Sequence, residues 1–298
     1  MAHRWAELKG KAKGLRRGQT AFVFSGGGPL GAVQVGLLQA LVDRSIYPDV
    51  VVGTSVGALN AVFMAAHPTN EGPLLLRDLW MHMRKDDLFP GGKLVSAWNV
   101  LKRGSYVFSN AGLRRLIEND LGIDDFEGLT IPAHIVATEL ATGEEKWFSS
   151  GPLVDPLLAS AAMPGVFPPV VIEGETYIDG GVANNVPISK AVELGVKQVY
   201  VLNVNAAGQR RNLSRPHDFM MHGFVLARAH RYQREIAQVK RQIKVIEMPV
   251  VDVGHVSFTN MSQTQRLIDA GYEAGTAFLS GAASPETEDA EAFSSKIS

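Results

Sequence analysis

The chain has 298 residues, enough for one large domain or two small ones, and 46% of them are apolar against 20% charged, proportions ordinary for a globular protein with a sizeable core. A net charge of -1 gives no global attraction for nucleic acid, so nucleic acid is not expected as a partner. The absence of cysteine excludes disulfides, thiolate metal sites, iron–sulfur ligation and a cysteine nucleophile together.

The first 18 residues form a basic segment with Arg4, Lys9, Lys11, Lys13, Arg16 and Arg17. The apolar run behind it stops at Phe24 and meets three glycines, too short for a signal-peptide core. Thr20 to Phe24 reads as a buried strand, followed by a helix in which Leu30, Val33, Leu37, Leu38 and Leu41 keep helical spacing. Asp49 to Val52 reads as a second strand, turning at Gly53 into a helix through Ala58, Leu59, Val62 and Phe63. No residue from Val50 to Ala66 is charged, but Gly53, Thr54, Ser55, Gly57 and Asn60 interrupt the run, and about 20 apolar residues are needed to cross a bilayer. Strand, helix, strand, helix points to an α/β fold whose parallel sheet is covered on both faces, with sites at the carboxyl ends of its strands.

Pro73 to Leu121 reads as mostly helical, broken at Pro90, Gly91 and Gly92, and carries Trp80, Met81, Met83, Phe89, Trp98, Tyr106 and Phe108, residues suited to core or to an acyl groove. Strands are expected at Ala133–Ala137, Lys146–Phe148, Val170–Ile172, Thr176–Ile178 and Gln198–Asn203, with helices near Asp155–Ala162 and from Pro187. Beyond Ala206 a long helix, roughly Phe219 to Arg241, precedes a strand at Lys244–Met248 and a helix near Ser262–Leu279. The resulting division is a basic segment 1–18, a catalytic core 19–205, a helical extension 206–281 packed on it, and an acidic tail 282–298 whose composition is that of disorder.

Gly53-Thr54-Ser55-Val56-Gly57 falls where an apolar strand meets a helix, the setting of a nucleophile elbow. Flanking glycines suit a sharp turn with close backbone approach. Gly26-Gly27-Gly28-Pro29-Leu30-Gly31 follows the first strand and opens a helix. Its amides are fit either for an oxyanion beside Ser55 or, as a Gly-x-Gly-x-x-Gly, for a dinucleotide with Asp49 on the ribose. Asp179-Gly180-Gly181 is a strand-end turn that leaves a carboxylate accessible, and a serine nucleophile needs a base. Of the eight histidines only His255 lies in a glycine-flanked loop, and no pair has metal-ligand spacing.

Taken in order, Gly-Gly-Gly-x-x-Gly, Gly-Thr-Ser-Val-Gly and Asp-Gly-Gly resemble the patatin-like phospholipase family, over about Gln19 to Asn205. The stretches from Ala159 to Pro169 and Asn184-Asn185-Val186-Pro187 resemble family blocks as well, and both are assigned to packing. The resemblance implies a three-layer α/β/α sandwich with a mostly parallel central sheet. It also implies hydrolysis of lipid acyl esters by a dyad of Ser55 and Asp179, an oxyanion hole from Gly26, Gly27 and Gly28, and elbow glycines Gly53 and Gly57. No metal and no cofactor is implied. The chain departs from the family at Leu30, where a basic residue is frequent, which bears on phosphate-bearing substrates. Three rival readings are an α/β-hydrolase triad through His255, a nucleotide-binding regulator, and a catalytically silent membrane-associated protein on the same fold.

The expected setting is cytoplasmic, with peripheral contact to anionic membrane. In the long C-terminal helix Val225, Ala229, Tyr232, Ile236 and Val239 form an apolar stripe while Arg228, Arg231, Arg234, Lys240 and Arg241 occupy other positions.

Overall fold

The computed structural model describes residues 20–84, 106–205, 216–254, 256 and 260–281. In chain order it holds β1 (Thr20–Phe24), α1 (Gly31–Asp43), β2 (Val50–Thr54), α2 (Val56–Ala66), α3 (Glu71–His82) and α4 (Ala111–Leu116), the last running on as a wider turn over Ile117–Leu121. There follow β3 (Ala133–Glu139), β4 (Glu145–Phe148), α5 (Val154–Ser160), β5 (Val170–Ile172), β6 (Glu175–Asp179), α6 (Ser189–Glu193) and β7 (Gln198–Leu202). The last elements are α7 (Pro216–Val239), β8 (Lys244–Glu247) and α8 (Thr264–Leu279).

The two N-terminal apolar runs are uninterrupted because both faces of their strands are covered. β1 and β2 are buried at every position and pair in parallel, Ala21 opposite Val50 and Phe24 opposite Gly53. Five parallel strands run in the order β3-β2-β1-β7-β8. Beyond β3 the sheet continues antiparallel through β6 and β5, and β4 pairs antiparallel with β3. The sheet is thus mostly parallel, as expected.

Alternation of side chains along each strand divides the core into two. Phe22, Phe24, Val51, Ile135 and Leu202 pack with α1, α2 and α3 on one face. Ala21, Val23, Val50, Val52, Val199 and Val201 pack with Ala191 of α6 and with Tyr232, Ile236 and Val239 of α7 on the other. Three layers result.

Helix α1 is apolar beyond the single stripe that its leucine spacing indicates, and in the structure all of it except Gln39 and Asp43 is buried. The reason is α8, which covers the outer side of α1, so α1 lies between the sheet and another helix. The two helices meet backbone to backbone. A Cβ on Gly36 would stand 2.0 Å from the Ile268 carbonyl oxygen, and one on Gly271 would stand 2.2 Å from that of Val33. Full burial of Leu37, Leu38 and Leu41 contributes about 2–3 kcal/mol each. The break expected at Pro90–Gly92 lies outside the described residues.

Candidate active site

Ser55 stands between β2 and α2 with φ 56° and ψ −129°, a region that residues with a side chain rarely occupy. The neighbouring backbone imposes it. A Cβ on Gly53 would lie 2.5 Å from the Gly57 carbonyl oxygen, and one on Gly57 would lie 2.4 Å from that of Ser25. Both glycines are there for close approach, and the unusual dihedral falls on the serine itself. Strain of this kind costs on the order of 1–3 kcal/mol. Ser55→Gly is therefore expected to be more stable than Ser55→Ala by about 1 kcal/mol after the extra chain entropy of glycine is allowed for. Both variants lack the hydroxyl, so paired denaturant melts isolate the backbone; a Ser55→Gly midpoint below that of Ser55→Ala, the order that chain entropy alone dictates, would show that the elbow carries no strain.

The hydroxyl of Ser55 donates to Asp179 Oδ2 at 2.6 Å across 124 residues of sequence. Its amide donates to Ser160 Oγ at 2.9 Å, and Ser160 in turn donates to the Val136 carbonyl at 2.7 Å. Ser160 is fully buried at the end of α5 and so anchors the elbow to β3.

Asp179 closes β6, where pairing with β3 sets it opposite Ala137. Only 3% of it is exposed. Its Oδ1 accepts the Gly181 amide at 2.7 Å, and its carbonyl accepts the Thr138 hydroxyl at 2.9 Å. Gly180 is required because a Cβ there would lie 2.1 Å from the Val136 carbonyl oxygen. Burial pushes the Asp179 carboxyl above the usual carboxylate range, while the Arg228 charge, the Ser55 hydroxyl and the Gly181 amide pull it back. A carboxylate raised in this way is a stronger base than a solvated one.

The glycine loop lies against the elbow. A Cβ on Gly26 would come within 3.1 Å of Ser55 Cβ. The Gly26 amide donates to the Asn185 carbonyl at 3.1 Å. Among the described residues the amides of Gly27 and Gly28 meet no acceptor, and Gly28 adopts φ 56° at the turn into α1. A buried polar chain holds this loop from behind: Trp80 Nε1 donates to Asn60 Oδ1, Asn60 Nδ2 to Gln34 Oε1, and Gln34 Nε2 to the carbonyls of Ser25 and Leu202.

An apolar pocket of about 720 Å³, part of it open to solvent, begins at Ser55 and Gly28. Leu59, Trp80, Met83, Leu113, Ile117, Leu157, Met163, Phe167 and Met261 form its walls. Of the aromatic and methionine-rich stretch, Trp80 and Met83 line it, Met81 is exposed, Phe108 packs against the core, and Tyr106 bridges to Gly165. Phe89 and Trp98 lie outside the described residues.

The rival assignments fare differently. Asp49 accepts the Thr20 amide at 2.9 Å, at the start of β1 and so at the opposite end of the sheet from the glycine loop. His255 and the basic segment 1–18 lie outside the described residues, and no described histidine bonds Ser55 or Asp179. On α7, Arg228 turns toward Asp179, and Arg231 bonds Glu145, Glu235 and the Ala183 carbonyl. Arg234 and Arg241 remain exposed, and Lys240 pairs with Glu247. No helix among the described residues is long and apolar enough to cross a membrane.

Sequence reasoning brings Ser55, Asp179 and the glycines together but gives Ser160 and Asn185 only a packing role and gives Gln34 and Asn60 none. The available signal was an amide inside an otherwise apolar helix, which must find partners once buried.

A family model described as Patatin-like phospholipase matches residues 22–192. A patatin-like phospholipase domain-containing protein of Caenorhabditis elegans is 32% identical over 209 residues, covering 67% of this chain and 14% of that protein. An uncharacterized NTE family protein of Mycobacterium tuberculosis is 26% identical over 203 residues, 66% of this chain and 52% of its own length. Lysophospholipase NTE1 of Kluyveromyces lactis is 26% identical over 215 residues, 70% of this chain and 14% of that protein. The chain spans about half the length of the mycobacterial relative and a small part of the other two.

Proposed function

The chain belongs to the patatin-like phospholipase family, and on that footing we propose that it hydrolyses acyl esters of lipids, phospholipids or lysophospholipids, with Ser55 as nucleophile and Asp179 as its base. The observation that carries this reading is the 2.6 Å hydrogen bond from Ser55 Oγ to a buried carboxylate, made from a strained elbow at the mouth of an apolar pocket.

Ser55 Oγ attacks the acyl carbon as Asp179 Oδ2 takes its proton, and the carbonyl oxygen becomes an oxyanion facing the Gly27 and Gly28 amides. Collapse of this intermediate breaks the ester C–O bond, and Asp179 returns the proton to the departing alcohol. Water then gives its proton to Asp179 and attacks the acyl-serine, which releases the fatty acid and restores the Ser55 hydroxyl. Every proton passes through one carboxylate. Its two oxygens divide the work, since Oδ1 is held by the Gly181 amide while Oδ2 faces the serine.

The pocket supplies the preference for a hydrocarbon chain, because each CH₂ removed from water contributes about 0.8 kcal/mol. Ala161 lines it and is only half-buried, so a larger side chain can be placed there with little cost to the core. Ala161→Phe is expected to lower kcat/KM for a long-chain nitrophenyl ester by roughly 10-fold or more, equivalent to about two lost methylene contacts, and to leave a two-carbon ester within a factor of about three. Rates across a chain-length series test it. An equal fall for short and long chains would mean that the acyl chain binds elsewhere.

A further inference from the structure

We propose that Arg228, on α7 and beyond the segment that matches the family, is a positioning residue whose guanidinium keeps Asp179 charged and aligned behind Ser55; this rests on the dyad reading above.

The geometry converges on Gly181. A Cβ at that position would lie 2.6 Å from Arg228 Nη2 and 2.9 Å from Asp179 Oδ1, so the two charges face one another across a single glycine. That separation is inside the roughly 4–6 Å over which an opposite charge governs protonation. The approach is possible because residue 181 has no side chain. The guanidinium of Arg228 is held by stacking, its central carbon 3.9 Å from the centre of the Phe224 ring. Its Nε is buried and has no hydrogen-bond partner among the described residues. An arginine buried with an unsatisfied donor is costly unless its charge is used. Asp179 is the group that uses it, since each raises the charged state of the other against the burial that opposes both.

The neighbouring charges are otherwise engaged. On β4, Glu145 accepts from Arg231 and from Asn184; on α7, Glu235 accepts from Arg231, which also donates to the Ala183 carbonyl. Arg231 thereby clamps α7 to the loop that follows Asp179 and holds Arg228 at its station. With no histidine between serine and carboxylate, the base must be desolvated enough to accept a proton and yet ionised when substrate arrives. A positive charge near Oδ1, the oxygen not facing Ser55, meets both needs.

Hydrolysis needs ionised Asp179, so removal of the Arg228 charge makes the carboxyl hold its proton to higher pH, and the acidic limb of kcat/KM moves upward. Arg228→Gln is expected to move that limb by about one unit or more on a neutral nitrophenyl ester, while Arg228→Lys leaves it near the wild-type position. Arg228→Met, unbranched and uncharged, replaces the glutamine variant if that one does not fold. Alongside the rate profile, the Asp179 carboxyl is titrated directly by carbon-13 NMR in wild type and variants. Parallel upward movement of both readouts in Arg228→Gln, restored by lysine, is the expected result. An Asp179 titration that stays in place without the arginine overturns the assignment of Arg228. A titration that moves while the rate profile stays still overturns the dyad reading instead, because Asp179 is then not the base.

Discussion

Asp179→Asn is expected to lower kcat/KM on any ester substrate by at least about 10³-fold, in line with the roughly 10⁴ to 10⁶ lost when one member of a serine protease triad is removed. The amide keeps the shape of the carboxyl, and its oxygen can still accept the Gly181 amide that Asp179 Oδ1 accepts at 2.7 Å. What it cannot do is take a proton from Ser55, and no described histidine stands by to replace it. The loss should therefore appear with the fold intact. Steady-state rates beside a thermal melt decide it; a folded Asp179→Asn variant that kept more than a tenth of the wild-type rate would remove Asp179 from the reaction.

The second large effect is structural. Gly57→Val would set a Cβ 2.4 Å from the Ser25 carbonyl oxygen and 2.7 Å from that of Phe24, both backbone atoms that no rotamer change can move aside. Relief requires α2 to lift away from the end of β1, which opens the fully buried core between them and drags Ser55 out of register with Asp179. A cost of about 3 kcal/mol or more is expected, equivalent to a fall in Tm of roughly 5 °C or more for a chain of this size, together with loss of activity at temperatures where the protein is still folded. Calorimetry against wild type measures the first part and ester hydrolysis the second. An unchanged Tm would mean that strand and helix do not approach as closely as described.

Much of this was legible in the sequence, for identifiable reasons. β1 and β2 were evident because strands covered on both faces must be uninterrupted apolar runs, and the Gly-x-Ser-x-Gly between such a run and a helix fixes where the serine sits. Asp179 was legible only through the other motifs, since an Asp-Gly turn alone is commonplace. Less visible was whatever depends on contact between distant segments. Nothing in the spacing of Ser160 says that its hydroxyl reaches the Ser55 amide 105 residues away. The pattern of α7 reads as a basic amphipathic helix, and periodicity cannot tell an arginine that faces solvent from one drawn inward by a carboxylate, as Arg228 and Arg231 are. Likewise the leucine spacing of α1 marks one face, whereas the covering of its other face by α8 depends on Gly36 and Gly271 meeting across some 235 residues of chain.

The most direct measurement of the central claim is active-site labelling with a fluorophosphonate, followed by peptide mapping. The expected result is a single adduct on Ser55 in the wild-type protein, formed with loss of esterase activity and strongly slowed by Asp179→Asn, because the same carboxylate that accepts the proton during hydrolysis accepts it during phosphonylation. An adduct on a different serine, or labelling of Ser55 at an unchanged rate in the Asp179→Asn protein, would contradict a nucleophile activated by Asp179.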